Sequence, residues 1–446
     1  AKAWNLKMFK HVAAKADDKD TTKLETVTVT AQRREQELQS VPLPVSSFTA
    51  KDLEIRNVVD TLKLSESIPN MFASNNTGLG TANVYYIRGL GNTESIATFD
   101  PPVGTYVNDI YVSRQNANNF GLFDVERVEV LRGPQGTLFG RNTTGGAINV
   151  ILKKPGKDLA GYLSVGGGSF GENNSRGSID IPFDDNFRTK FSYFYRKDDG
   201  YVNNTTTGEK TNKADAAGAR AALWLKSGAV TWDLSTDSVK DKGMSLLNFK
   251  VGDTRTTQTG LRAACPGFFN SAGAARLTGA KNLFCLGNNV DNTSLTSNIN
   301  LSLDAMSVDF ITGWRDVKQK FALDFFNNPA STGGFTIVND GQHKQFTQEV
   351  KATGETGALS WVGGVFYMNE RNTTDFADLF QAGAASLLLA DRVLRNTTKS
   401  SAGYLQGDYK IAPALTATVG LRYTSETKKV SFSDNRATAA PAAQLN

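Results

Sequence analysis

The stretch FDVERVEVLRGPQGTLFGRNTTGGAINVIL, from Phe123 to Leu152, joins two alternating segments through a loop rich in Gly, Asn and Thr. Alternation of apolar and polar residues predicts two half-buried β-strands. Glycine permits backbone angles and close approaches that a Cβ would block. We therefore expect this loop to pack closely on neighbouring backbone, and we interpret its glycines as structural: Gly133, Gly136, Gly140, Gly145 and Gly146.

The residues around this stretch, from Leu24 to Pro155, predict a small α+β domain. The segment ETVTVTA alternates like a strand, whereas AKDLEIRNVVDTLKLSESI has apolar residues at helical spacing. Short strands follow at NVYYIRG and VGTYVNDIYVSR. Within the last of these, Asn108 and Asp109 predict a tight turn, because both residue types tolerate positive φ.

Beyond Pro155 the helical period disappears, and about eleven alternating segments of roughly ten residues follow, separated by polar connections. In LTATVGLRYTSE, Leu421 and Tyr423 share one face while Arg422 and Glu426 share the other. By the same parity, Glu349 lies on the face of Thr347, opposite Phe346.

Two folds accommodate such a series of strands. A soluble β-sandwich also alternates, but it usually has shorter connections. Here the connections range from tight, as in IPFDDNFR, to very long, at about 241–293, 318–343 and 371–400. Short turns at one end, long loops at the other and aromatic girdles are typical of an outer-membrane barrel, and this pattern favours the barrel.

The composition excludes several other classes of function. The 446 residues carry a net charge of only +5 and no long run of like charges, so they give little support to nucleic-acid binding. With two histidines, His11 and His343, neither a histidine-rich metal site nor a Ser/His/Asp catalytic set can be proposed. No run of about eighteen apolar residues predicts a transmembrane helix.

Two features leave alternatives open. Trp4, Met8, Phe9 and Val12 could share one face of a short basic helix, or the first 23 residues could form a frayed tail. Cys265 and Cys285 lie in one Gly/Ala/Asn-rich segment, where they could form a loop disulfide in an oxidising compartment or remain free thiols.

Several motifs resemble the TonB-dependent outer-membrane receptors. LETVTVTAQRREQ, from Leu24 to Gln36, is similar to the TonB box of that family. SVPLPVSSFTAKDLE, NVYYIRGLG, DPPVGTYVNDIYVSR and the opening stretch match its plug domain in order and spacing, and GLRYTSETKK is similar to its barrel strands. The resemblance covers nearly everything from Leu24 to Lys429, and the run from LRGPQG to GRNTTGGAIN is its most specific part.

The resemblance implies a fold and a division of the chain. The fold is a transmembrane antiparallel β-barrel with an N-terminal α+β plug domain. A complete barrel of this family has 22 strands, of which about half are present here. We therefore expect the chain to be the N-terminal part of a longer protein, since open strand edges are not tolerated in a membrane. The division is a tail at 1–23, a TonB-box region at 24–36, a plug domain at 37–155 and a partial barrel at 156–446.

The resemblance also implies roles for particular residues. The segment that adds as a strand to TonB comprises Glu25, Thr26, Val27, Thr28, Val29, Thr30 and Ala31. Arg88 and Arg132 resemble the plug arginines that pair with barrel carboxylates, and parity makes Glu349 and Glu426 their candidate partners. The alternative is that these groups form ordinary surface ion pairs. Gly89, next to Arg88, joins the structural glycines.

The expected function is binding and import of a scarce nutrient across the outer membrane of a Gram-negative bacterium. The family commonly takes ferric siderophores, so the ligand is expected to be an iron chelate, with no catalytic residue and no resident cofactor or metal. The expected partners are TonB of the TonB–ExbB–ExbD complex, outer-membrane lipid and the transported molecule, around a monomeric barrel. The alternatives are an aromatic compound, an oligosaccharide or a vitamin as substrate, a passive porin or adhesin, and a soluble β-rich binding protein.

Overall fold

A computed structural model describes residues 2–6, 27–56, 58–76, 79–96, 98–119, 122–205, 208–243, 257–258, 287–324, 335–382 and 385–434. Most of these residues lie in strands. Among the described residues, no helix has the length and hydropathy needed to cross a bilayer.

The N-terminal third contains one short α-helix, α1 (Ala50–Ile55), and ten strands. The strands are β1 (Lys2–Leu6), β2 (Thr28–Val29), β3 (Gln36–Glu37), β4 (Val45–Thr49), β5 (Met71–Asn76), β6 (Leu79–Ile87), β7 (Val103–Val107), β8 (Ile110–Val112), β9 (Val125–Arg132) and β10 (Gly146–Leu152). Three-residue or six-residue 3₁₀ turns lie at Leu38–Ser40, Leu62–Ser67 and Gln115–Ala117.

The plug domain is built on a five-stranded sheet with the order β4-β9-β10-β7-β8. The predicted turn is confirmed, because Asn108 and Asp109 both have positive φ, 47° and 65°, between β7 and β8. Helix α1 begins where Thr49 and Asp52 form a capping box. The predicted longer helix ends at Ile55, and the sequence beyond it supplies only a 3₁₀ turn at Leu62–Ser67.

The remaining strands form a second, larger sheet and a small one. They are β11 (Ala160–Gly167), β12 (Asn173–Pro182), β13 (Phe187–Lys197), β14 (Val202–Asn204), β15 (Lys210–Thr211), β16 (Asp215–Ser227), β17 (Val230–Asp241), β18 (Thr257–Gln258), β19 (Gly287–Ser302), β20 (Met306–Asp324), β21 (Phe335–Thr356), β22 (Leu359–Ala382), β23 (Ala385–Ala412) and β24 (Leu415–Asp434). All but β14, β15 and β18, which form the small sheet, belong to one 12-stranded sheet in the order β1-β11-β12-β13-β16-β17-β19-β20-β21-β22-β23-β24.

This sheet is the wall of a barrel that curves around the plug domain, which confirms the predicted fold class. Sequential strands pair antiparallel, with two-residue turns such as 228–229 and 357–358 at one end. Side chains of one parity contact the plug, and those of the other point outward: Leu421 and Tyr423 are 75% and 79% exposed. Outward apolar residues suit contact with lipid.

Two expectations from the sequence are wrong. Residues 2–6, which include Trp4, form neither a helix nor a frayed tail, because they pair antiparallel with β11. Met8, Phe9 and Val12 lie outside the described residues. An open strand edge presents unpaired N–H and C=O groups, which bind an extended segment readily. Much of the loops predicted at 318–343 and 371–400 belongs to β20, β21, β22 and β23. The strands continue to pair in these segments, although the residues on their outward face become polar. The alternation of apolar and polar residues that predicts a strand is therefore lost.

Candidate functional site

The segment predicted to bind TonB lies inside the barrel as part of a small hairpin. Thr28 and Val29 in β2 pair with Glu37 and Gln36 in β3. We call residues 27–37 the box hairpin. Val29 and Ala31 are buried in a cluster of apolar side chains that comes from both the plug and the wall: Tyr106, Leu131, Leu138, Phe139, Met368 and Tyr404. The box is therefore occluded by packing in this structure.

Glu129 of β9 binds the hairpin from the plug side. Both oxygens of its fully buried carboxylate accept the Thr30 backbone N–H, at 2.9 and 3.0 Å. Burial raises the pKa of the Glu129 carboxyl above its ordinary value, although hydrogen bonds from Thr30 and Arg127 act against that rise. The plug thus uses one carboxylate to satisfy the backbone of the box.

Two arginines of the hairpin bind the wall. The buried Arg33 forms an ion pair with Glu349 of β21, and Tyr404 of β23 donates to the same carboxylate at 2.5 Å. Burial alone would lower the pKa of Arg33, but Glu349, Tyr404, Asp109 and Tyr106 together outweigh burial, and the pKa is raised. Arg34 forms a second ion pair with Asp408 of β23. These contacts connect the box directly to the barrel.

A second charged cluster connects plug residues that lie outside the plug strands to β22 and β24. Arg114 binds Glu370 at 2.5 Å, and Arg141 binds Glu426 at 2.7 Å. Asp100 lies between the two arginines, at 3.3 Å from Arg114 and 2.5 Å from Arg141. Burial by itself would raise the pKa of Asp100, yet Arg141 and its cationic neighbours hold it below its ordinary value.

A third cluster holds the plug where its chain leads into the wall. Asp124, which is almost completely buried, pairs with Lys190 of β13 at 3.2 Å and with Arg220 of β16 at 3.0 Å. Ser192 donates to the same carboxylate at 2.6 Å. Asp124 lies directly before β9 and beside the end of β10, because the Lys153 N–H donates to the Asp124 carbonyl at 2.9 Å and Arg220 donates to the Lys153 carbonyl at 3.0 Å. The plug is thus fixed both at the box hairpin and where its chain continues into the wall.

Comparison with known proteins accounts for this arrangement. A family model described as the TonB-dependent receptor plug domain matches residues 37–147, and one described as the TonB-dependent receptor-like β-barrel matches residues 231–445. The chain belongs to the TonB-dependent receptors. Its relatives place it in the outer membrane of Gram-negative bacteria.

Curated relatives of this TonB-dependent receptor have modest identity. The iron-regulated outer membrane virulence protein of Vibrio cholerae is 32% identical over 162 residues, which are 34% of this chain and 24% of the relative. The pesticin receptor of Yersinia enterocolitica is 28% identical over 211 residues, 47% of this chain and 30% of the relative. The vitamin B12 transporter BtuB of Vibrio vulnificus is 24% identical over 177 residues, 40% and 28% respectively.

Solved structures support the fold. The ferric yersiniabactin uptake receptor FyuA of Yersinia pestis aligns with a TM-score of 0.73 at 18% identity, covering 87% of this chain and 57% of FyuA. The ferric-catecholate import receptor Fiu of E. coli aligns in its open form with a TM-score of 0.66 at 16% identity, covering 91% of this chain and 63% of Fiu. The alignments to curated relatives span about a third of those proteins or less.

In this TonB-dependent receptor, the two predicted barrel carboxylates face the plug but have other partners than those expected. Glu349 binds Arg33 and Glu426 binds Arg141. Arg88 is exposed, and Arg132 donates only weakly to the Pro69 carbonyl, at 3.5 Å. Parity identifies the face that a carboxylate occupies. It does not tell which of several plug arginines lies opposite, because that depends on how deep the plug sits in the barrel.

The predicted glycines divide into three kinds. Positive φ occurs at Gly89, Gly133, Gly140 and Gly146. A Cβ at Gly146 would lie 2.2 Å from the Leu131 carbonyl oxygen, and one at Gly145 would lie 3.1 Å from Val103, so both positions require close approach. Gly136 has neither restriction, because a Cβ there would have no heavy atom within 4 Å. The structural interpretation is therefore wrong for Gly136.

Other candidate residues lie outside the part of the chain that the structure describes. These are Glu25 and Thr26 of the box, and the cysteines Cys265 and Cys285. Conversely, sequence reasoning missed Arg33, Arg34, Arg114 and Asp124. The adjacent Arg33 and Arg34 lie near the end of the TonB-box region. Two neighbouring cations at that place were a usable signal for a charged contact with the wall. Arg114 and Asp124 are single charged residues in polar segments, so their contacts had no signal in the sequence.

Proposed function

We propose that this chain forms the plug and part of the wall of an energised importer, which carries a scarce nutrient into the periplasm. Residues 24–36 would bind TonB, residues 37–155 would close the barrel and residues 156–446 would form part of its wall. The observation that carries this proposal is the occluded box hairpin, held by Glu129, Arg33 and Arg34. Its polar contacts are few, and the apolar packing beside them is limited on the hairpin to the side chains of a few residues such as Val29 and Ala31.

TonB is the proposed partner, and strand addition is the proposed contact. The box offers alternating β-branched residues at Val27, Thr28, Val29 and Thr30, which suit an added strand. In the structure Val29 is buried and the Thr30 N–H is already bound. TonB therefore binds only after the hairpin has left its site, and pulling on the box loosens the plug through the same contacts.

The proposed substrate is a ferric siderophore. This rests on neighbours whose names state ferric yersiniabactin and ferric catecholate as ligands. A vitamin is the competing candidate, because BtuB is also a relative. We further propose that Arg88, whose side chain lies beside Gly133, and Arg132, which precedes Gly133 in the chain, bind carboxylates outside the described residues.

The test is uptake by cells that express the full-length gene. Radiolabelled ferric yersiniabactin, a ferric catecholate and vitamin B12 are supplied to strains with and without functional TonB. Accumulation of iron only in the strain with TonB supports both the mechanism and the substrate class. Accumulation of vitamin B12 alone retains the mechanism and replaces the substrate, and equal uptake in both strains contradicts energised import.

A variant of the box tests the TonB contact separately. Val29→Pro removes a backbone donor that a ladder of strands requires, so uptake is expected to be lost while ligand binding to whole cells is retained. Thr28→Ser is the matched control, since Thr28 is exposed and the substitution keeps the donor. Wild-type uptake by the Val29→Pro variant would remove the box assignment.

A further inference from the structure

The plug does not bind all parts of the wall in the same way. Its buried and partly buried ion pairs to the wall strands lie on β13 and β16, through Asp124, and on β21 to β24, through Arg33, Arg34, Arg114 and Arg141. More exposed pairs join Lys154 to Asp233 of β17 and Glu54 to Arg176 of β12. On β19 and β20, between these two charged sides, two hydrogen bonds between neutral groups join the plug to the wall.

Three neutral contacts define this face. Asn288 of β19 donates to the Thr81 hydroxyl at 2.6 Å, and Asn116 donates to Gln319 of β20 at 2.5 Å. On the adjoining edge of β21, Gln345 accepts from the Ser113 hydroxyl at 2.7 Å. We call these three contacts the amide seam. The wall amides also bind each other, since Gln319 donates to Asn288 at 2.8 Å.

A cavity large enough for about one water molecule lies beside the seam. Val107 and Ile110, at the tip of the β7–β8 hairpin, form its plug side, and Ser294, Gln345 and the buried Arg315 are among its wall residues. Gly313 of β20 lies directly under Ile110: a Cβ there would be 2.6 Å from the Ile110 side chain. At this position the wall has no side chain between β20 and the tip of the hairpin.

Neutral hydrogen bonds and ion pairs differ in the groups that stay without a partner when the plug moves away from the wall. Water replaces a neutral amide or hydroxyl partner at little net cost, and the wall amides keep one another as partners. Separating a buried ion pair leaves uncompensated charge. The plug consequently separates from the wall most easily along the amide seam.

Resting on the proposed import function, we infer that the passage for the substrate opens between the plug and strands β19–β20, along the amide seam. The contacts of Asp124, Arg114 and Arg141 stay closed at that stage and keep the plug inside the barrel, whereas those of Arg33 and Arg34 leave with the box hairpin. The substrate then moves past amide and hydroxyl groups, past the buried Arg315 and past Val107 and Ile110.

Disulfide tethers in the full-length receptor test this inference, in a background with Cys265 and Cys285 replaced by serine. A disulfide between the cysteines of Ile110→Cys and Gly313→Cys would join the β7–β8 hairpin to β20 and keep the seam closed. Thr137→Cys with Gly420→Cys is the matched control on β24, because a Cβ at Gly420 would lie 2.7 Å from the Thr137 side chain. Both pairs join a plug side chain to a wall glycine at a distance that a disulfide can span.

With the three labelled nutrients above as probes, the oxidised seam tether is expected to lower TonB-dependent uptake at least tenfold. Binding should be unchanged, and reduction should restore uptake. The control tether should leave uptake within about twofold of its reduced form. Undiminished uptake through the oxidised seam tether, or equal loss from both tethers, overturns the inference while the import function stands. Failure of the untethered receptor to import any probe refutes the import function itself.

Single cysteines give an independent readout that does not require a bridge. Ser294 lies at the cavity and Ser400 lies on β23, and both serines are buried. Ser294→Cys is therefore the test variant and Ser400→Cys is its control. With the transported probe present, a membrane-impermeant maleimide is expected to label Ser294→Cys at least fivefold faster in cells with TonB than without it. Labelling of Ser400→Cys should not depend on TonB. TonB-dependent labelling of Ser400→Cys alone overturns the inference.

Discussion

Arg33 connects the segment proposed to bind TonB to the barrel wall. Its side chain is 4% exposed, and its partner Glu349 also accepts a hydrogen bond from Tyr404. Lys351 donates to the Arg33 backbone carbonyl at 3.2 Å. Both the side chain and the backbone of one residue are thus bound by β21, so movement of that strand is transmitted directly to the box.

Arg33→Ala is expected to release the box hairpin. Removal of one partner of a buried ion pair leaves the other charge uncompensated and costs about 3–5 kcal/mol. Hydrogen exchange of the Thr30 amide should accelerate strongly in the purified full-length receptor, because that amide is protected only while the hairpin is docked.

Arg34→Ala provides the comparison. The Arg34 and Asp408 side chains are more exposed, 16% and 10%, so water screens their ion pair better. The Thr30 amide should then exchange only slightly faster than in the wild type. An equal effect of the two variants would show that the buried pair has no special role.

Glu129 gives the box contact a dependence on pH. Its pKa is raised by burial, so the folded state binds the proton more tightly than the unfolded state does. Its contribution to stability is therefore fully present below the ordinary pKa of a glutamate and is lost as pH rises through the raised value.

Glu129→Gln is expected to remove this part of the pH dependence. The amide oxygen still accepts from the Thr30 N–H, but the side chain no longer titrates. The urea midpoint for plug unfolding, measured in detergent between the two pKa values, should fall with rising pH in the wild type and fall less in the variant. Parallel pH profiles would refute the assignment.

At the scale of elements, the β9–β10 pair forms the centre of the plug sheet. Gly146 begins β10 with φ of 152°, and the Leu131 carbonyl of β9 occupies the place where a Cβ would be. Backbone cannot shift as easily as a flexible side chain. The alternating strands of the opening stretch therefore depend on a glycine at this position.

Gly146→Ala is expected to destabilise the plug by more than about 1 kcal/mol, because its native φ and its surroundings both exclude a Cβ. Gly136→Ala is the matched control: it lies in the same loop, has open space around it and should be nearly neutral. Limited proteolysis of the purified receptor against denaturant measures both. A neutral Gly146→Ala variant would mean that the β9–β10 contact adjusts freely.

The sequence predicts elements better than it predicts their partners. Parity places Glu349 and Glu426 on the face that contacts the plug, and residue type places the turn at Asn108 and Asp109. These features depend on neighbours in the chain. The partner of Glu349 is instead fixed by the depth of the plug in the barrel, which depends on contacts between residues hundreds of positions apart. Arg33 therefore could not be chosen over Arg88 from the sequence.

At the scale of the whole molecule, the plug is fixed at two ends with different consequences. The box hairpin is at the end where TonB is proposed to pull, and the Asp124 cluster is at the end where the chain continues into β11. Tension on the box reaches the contacts of Arg33 and Arg34 first. Asp124, paired with Lys190 and Arg220, then keeps the rest of the plug in the barrel.

Asp124→Ala is expected to loosen that end of the plug. It leaves Lys190 and Arg220 buried, with only Asp180 as a remaining carboxylate partner of Lys190, at 2.9 Å. The loss of a buried carboxylate of this kind costs about 3–5 kcal/mol. The urea midpoint of the full-length receptor should fall, and cells that express the variant should become permeable to a large antibiotic such as vancomycin.

Lys154→Ala shows whether the position or the charge matters. Lys154 pairs with Asp233 at 2.9 Å in the same connection to the wall, but it is 66% exposed, so its loss should cost well under about 1 kcal/mol and cause no leak. If both variants leak, the connection itself is sensitive and the buried cluster is not the anchor. If only Asp124→Ala leaks, the end of the plug opposite the box is held by buried charge, and TonB can pull the box without pulling the plug out.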